Sequence, residues 1–160
     1  MDLFPLEPAV QVGKPKMSYI AVIVAASVNW VLGAIWFAVF ATPWLVGIGK
    51  SRADLMHRGS PALDYLLVFV SNLALAWALA WLIAVTGRPT MARGVGLAAL
   101  LWLGFVGSTM ATEHVFEGRS IQSLAITAGY PLAGMLIMGA ILGHWTGRSA
   151  SKPSQDPRKP

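Results

Sequence analysis

Apolar residues in this chain fall into four long blocks separated by polar connectors, rather than into the short periodic patches of a soluble core. The blocks run from Tyr19 to about Phe40, from about Tyr65 to Val85, from about Gly94 to His114 and from about Ile121 to Trp145. Each holds roughly 20 residues or more, the length at which a helix rising about 1.5 Å per residue crosses a hydrocarbon slab about 30 Å thick. The pattern predicts an all-α integral membrane protein with four transmembrane helices in an antiparallel bundle. Ala25-Ala26-Ser27 resembles a signal cleavage site, but a cleavable segment ends in polar sequence. This one continues through Trp30, Leu32, Trp36 and Phe40, and is expected to stay as the first span.

The polar stretches frame these spans. Residues 1–17, with Pro5, Pro8 and Pro15, read as an irregular lead-in, and residues 147–160, rich in Ser, Pro and basic side chains, as a disordered basic tail. In the first connector Ser51 and Asp54 stand at the spacing of a capping box, which predicts a short interfacial helix through Leu55 and Met56. Trp44 belongs at headgroup level. Four spans put the lead-in, second connector and tail on one side, with Lys14, Lys16, Arg88, Arg93, Arg148, Lys152, Arg158 and Lys159. The other side holds Lys50, Arg52, Arg58 and Arg119. That bias places both termini in the cytoplasm, with the spans in a bacterial inner membrane.

Composition narrows the partners. The chain is 56% hydrophobic and only 12% charged, with mean hydropathy +0.61, whereas a soluble domain carries about twice that charged fraction. Without cysteine there are no disulfides, thiolate metal sites or thiol nucleophiles. The net charge of +5 is spread over connectors and tails, which suits anchoring at anionic headgroups better than a nucleic-acid surface. The expected partner is the lipid bilayer, with no nucleic acid. No cofactor is expected.

The polar residues inside the spans carry the candidate chemistry. Asn29 and Asn72 present amides that hydrocarbon cannot satisfy, so each should face another helix, as interhelical glue or as part of a ligand site. Thr127 poses the same choice. Pro131, after Tyr130, removes a helical N–H and predicts a kink whose freed carbonyl needs a partner from Thr127 or a neighbouring helix. Gly139 and Gly143 have the small-residue spacing of close helix packing and, secondarily, of a dimer seam. Thr109, Glu113 and Glu117 fall on one stripe of the third helix, where Glu113 reads either as a carboxylate handling protons or cations or as a snorkelling group at the bilayer edge. His114, Glu113 and Glu117 share one helix end and cannot enclose a metal without a second element; His57 is the obvious contributor, and no metal is expected. His144, beside Trp145, reads as interfacial. No catalytic triad, phosphate loop or HExxH sequence occurs.

Several of these stretches resemble a known family. Val28-Asn29-Trp30-Val31-Leu32-Gly33-Ala34, Trp36-Phe37, Pro43-Trp44, Leu101-Trp102-Leu103-Gly104-Phe105, Phe116-Glu117-Gly118-Arg119, Ala128-Gly129-Tyr130 and Met138-Gly139-Ala140-Ile141-Leu142-Gly143 look like the bacterial membrane family catalogued as domain of unknown function 1761. The resemblance covers about Ser18 to Trp145 and implies a small four-helix membrane protein, with no catalytic residues to carry over. Members often show Asn-Tyr where this chain has Glu113-His114, which moves the expected shared role to the Phe116–Arg119 turn. There Gly118 would permit a tight reversal and Glu117 would pair with Arg119 or backbone.

The function these observations favour is a small, non-enzymatic binding or interaction module, a homo-oligomer through its Gly-rich fourth helix. Two alternatives stand beside it. One is a transporter or channel with a polar path built from Asn29, Asn72, Thr109, Glu113, Thr127 and Tyr130. The other is a membrane enzyme at the outer mouth around Glu113, His114 and Glu117. Convergence of those side chains, which sequence does not show, separates the three.

Overall fold

The computed structural model describes residues 17–56, 60–87 and 89–150. His57, the lead-in before Met17 and the tail beyond Ala150 lie outside them. Among the described residues there are no strands, and four helices are long and apolar enough to cross a membrane: Tyr19–Val39, Pro61–Val85, Met91–Phe116 and Ile121–Gly147. The chain is a membrane protein.

In order the elements are α1 (Tyr19–Val39), α2 (Ala41–Gly47), α3 (Arg52–Met56), α4 (Pro61–Val85), α5 (Met91–Leu101), a π-helical segment Trp102–Gly107, α6 (Ser108–Phe116) and α7 (Ile121–Ala150). Local chemistry sets the ends. Ser18 caps α1 by accepting from the Ala21 N–H at 3.4 Å, and Thr90 caps α5 by accepting from the Arg93 N–H at 3.2 Å. α4 starts at Pro61, earlier than the apolar run alone indicates, because Ser60 is extended, Pro61 suits the first helical position and Asp64 meets the positive helix end. The capping box in the first connector forms in full. Asp54 Oδ2 accepts from the Ser51 N–H and hydroxyl, each at 2.7 Å, and Ser51 Oγ accepts from the Asp54 N–H at 3.3 Å. The backbone and hydroxyl donors of Ser51 hold the Asp54 carboxyl below its ordinary pKa.

α7 is the hub, packed against α1, α4 and α5. α1 and α5 run opposite to it: Gly94 meets Gly139 while Thr90 meets Gly143, and Gly33 meets Tyr130 while Trp36 meets Gly129. α1 and α4 are also opposed, with Asn29 against Asn72. The core is built from small and flexible side chains: Ala21, Ala25 and Ala26 of α1, Ala76, Leu79, Ala80 and Ile83 of α4, Ala98 of α5, and Met135, Met138 and Leu142 of α7. Alanines let backbones approach, and methionine fills the irregular gaps left between them.

The closest approach is between α5 and α7. A methyl group on Gly94 would collide with the Gly139 carbonyl oxygen, one on Gly139 with the Gly94 carbonyl, and one on Gly143 with the Thr90 carbonyl. These glycines of α7 are therefore packed against α5 of the same chain. This contact also carries α7 past the end of its apolar run. Buried Thr146 bonds the Leu142 carbonyl at 2.8 Å, and Gly147 lies against the Pro89 carbonyl.

α7 continues through Pro131 as one helix. The Trp36 indole N–H crosses from α1 and donates to the Ile126 carbonyl at 3.0 Å, next to the Thr127 carbonyl that proline deprives of its helical donor. Trp36→Phe keeps an aromatic ring, though a smaller one, but removes the donor, and is expected to cost about 1–2 kcal/mol, read as a lowered midpoint in detergent unfolding.

Candidate functional site

The terminal half of the protein is close-packed, whereas towards the first connector α1 and α4 part and leave a groove of about 810 Å³. Trp30, Gly33, Ala34, Phe37 and Ala38 of α1 form one wall. Pro61, Tyr65 and Val68 of α4 form the other, Ala41, Trp44 and Leu45 close the upper end, and Tyr130 of α7 forms the back. Arg52 of α3 stands at the mouth. Ala34, Ala38 and Tyr65 are exposed on the outward faces of helices that cross the hydrocarbon, so the groove opens sideways.

Aromatic rings hold its shape. Trp30 stands edge-on to Tyr65 and Phe69 at centroid distances of 6.2 and 6.4 Å, and Phe37 packs edge-on against Trp44 at 5.2 Å and Tyr130 at 5.5 Å. Trp30, Gly33 and Phe37 share one face of α1 at i, i+3 and i+7. Gly33 is small because Tyr130 lies over it: a methyl group there would sit 2.9 Å from the phenolic oxygen.

Behind Tyr130 lies the polar centre of the protein. Asn29 and Asn72 are 2% and 7% exposed, and Asn29 Nδ2 donates to Asn72 Oδ1 at 3.0 Å. Asn29 Oδ1 abuts Gly134, whose missing side chain makes room for it. The Tyr130 hydroxyl donates to the Asn29 backbone carbonyl at 3.4 Å and lies beside the Asn72 amide. Asn29 Oδ1 and Asn72 Nδ2 have no protein partner. Buried hydrogen-bonding capacity in reserve, one phenol away from an apolar groove, is the arrangement expected of a small-molecule site with few orienting polar groups.

Of the sequence candidates, Asn29, Asn72 and Tyr130 come together here, while the others do not. Thr127 donates to the Ser123 carbonyl at 2.8 Å, and exposed Thr109 donates to the Phe105 carbonyl at 2.6 Å, each within its own helix. Glu113 is exposed on α6. His114 is buried, with Nδ1 3.2 Å from the Met110 carbonyl and Nε2 without a protein partner. Glu117 and Arg119 pair at 2.8 Å across a turn in which Gly118 adopts φ +64°, and Arg119 N–H closes onto the His114 carbonyl at 3.1 Å. Among the described residues, no three or more His, Asp or Glu side chains gather where they could hold a metal ion.

Sequence reasoning did not single out Trp30, Phe37, Tyr65 or Arg52 as lining residues. The i, i+3, i+7 recurrence of Trp30, Gly33 and Phe37 is the signal that could have found the groove, since bulky aromatics flanking a glycine on one face mark a fixed concavity.

No curated protein and no solved structure matches the chain. The sequence pattern of one family matches residues 20–143, from the second residue of α1 to near the end of α7. With most of its length matched, the chain belongs to the family described as "Protein of unknown function (DUF1761)".

Proposed function

We propose that the protein is a small, non-enzymatic binding module that holds an apolar or amphipathic ligand in the groove between α1 and α4. The observation that carries this reading is the conjunction of a preformed aromatic groove with the Asn29–Asn72–Tyr130 cluster at its back. A polar transport path would need Thr109 and Glu113 to face the same cavity, and a membrane enzyme would need Glu113 and His114 to meet a second reactive group. The geometry of α6 favours neither. The eight-to-four distribution of Lys and Arg supports an inner-membrane orientation with both termini cytoplasmic, which sets the groove mouth on the far side.

Thermal unfolding of the purified chain against lipid and apolar metabolite libraries tests this. A ligand at a hundredfold excess over its Kd is expected to stabilise by about 2.7 kcal/mol. That gain should vanish in Ala38→Trp, which fills the groove, and persist in Glu113→Gln. A ligand whose effect disappears in Glu113→Gln but survives in Ala38→Trp would move the site to the α6 turn.

A further inference from the structure

We propose that the occupant of the groove is one anionic phospholipid of the surrounding leaflet, with its phosphate on Arg52 and an acyl chain laid between α1 and α4. This rests on the groove being the binding site, and adds the class of ligand. The first observation is a free charge in the right place. Arg52 lines the mouth at the first turn of α3, and among the described residues no carboxylate pairs with it. Asp54, two residues on, is already taken by the Ser51 N–H and hydroxyl, and Glu117 by Arg119. A guanidinium with its forked donors unspent is matched by a phosphate, which it can grip with two parallel hydrogen bonds.

The second observation is depth. From Ala38 to Trp30 the α1 wall descends eight residues, about 12 Å at the helical rise, from headgroup level into hydrocarbon. Over that distance the lining is Ala34, Phe37, Gly33 and Trp30, with Val68 and Tyr65 opposite: surface suited to methylenes and to nothing charged. The third is access. Because the groove opens sideways between outward faces of α1 and α4, a chain already dissolved in the bilayer enters without crossing water. A soluble anion could pair with Arg52 but would leave the apolar length empty, and an uncharged apolar molecule would gain nothing from Arg52. The anionic lipid satisfies both ends.

The test is native mass spectrometry of the full chain in detergent, titrated separately with phosphatidylglycerol and with phosphatidylcholine of identical chains. Phosphatidylglycerol is expected to bind about fivefold more tightly, the effect of roughly one cationic contact near a membrane surface. Arg52→Gln, an exposed substitution, should weaken phosphatidylglycerol more than phosphatidylcholine, whose phosphate charge is already offset by its choline cation, and so remove that preference, and Ala38→Trp should weaken both lipids. Absence of any preference, or a preference that survives Arg52→Gln, overturns the lipid assignment; if Ala38→Trp still weakens both lipids, the groove itself stands. If Ala38→Trp alters neither, while thermal unfolding shows the variant folded, the groove reading fails as well.

Discussion

Gly139→Leu is expected to destabilise the protein by about 3 kcal/mol, the largest effect of any single substitution considered, because it wedges apart the two helices that approach most closely. Overpacking a well-filled interior costs about 1–3 kcal/mol when side chains can yield. Here the obstacle is the backbone carbonyl of Gly94, and Gly94 in turn leans on Gly139. Neither helix can move without disturbing Gly143 against Thr90 and Gly147 against Pro89 on the same face. The comparison is Gly96→Leu on the same pair of helices. Gly96 has open space where its side chain would be, so leucine there should leave stability almost unchanged. Reversible unfolding in mixed micelles measures both, and equal tolerance of the two substitutions would show that α5 and α7 do not cross at these glycines.

The asparagine pair should give the next largest effect. Asn72→Ala removes the acceptor for Asn29 Nδ2 and leaves an amide at 2% exposure with no partner, at a cost of about 1–3 kcal/mol; Asn29→Ala strands Asn72 in the same way. Because each single change leaves the other amide stranded, the double variant should lose less than the sum of the two. The shortfall should be about 0.6–1.7 kcal/mol, the range measured for side-chain bonds between membrane helices. Losses that add would mean that the two amides act independently. The same variants should loosen the back of the groove, since Tyr130 rests on the Asn29 carbonyl and beside the Asn72 amide.

How much of this could be read in advance follows from how far each interaction reaches. The spans were legible because bilayer thickness dictates their length, and the Ser51–Asp54 cap because it closes over three residues. Burial of Asn29 and Asn72 was legible from the cost of an unsatisfied amide in hydrocarbon. Their union was not, because it joins residues 43 positions apart. The hydroxyls mislead for a physical reason. Thr109, Thr112 and Thr127 each reach a carbonyl four residues back in their own helix, so unlike an asparagine they need no second helix and carry no information about a shared cavity. Pro131 announced that α7 needed outside help, but nothing local named Trp36, 90 residues from its acceptor, as a donor beside the break. Nor did the sequence mark the π-helical segment, where the Trp102 ring folds over Gly107. Arg52 looked like an ordinary loop cation until the groove beneath it was seen.

The most direct test of the whole arrangement uses the fact that the chain has no cysteine, so introduced thiols react without background. With cysteines at positions 29 and 72, in Asn29→Cys/Asn72→Cys, mild oxidation in native membranes should join α1 to α4 within one chain. A control pair, Val31→Cys/Val85→Cys, on exposed positions far apart along the antiparallel helices, should remain reduced. If the inserted protein forms no bridge at 29 and 72, or bridges both pairs alike, the two asparagines do not meet behind Tyr130, and the site built on their meeting does not exist.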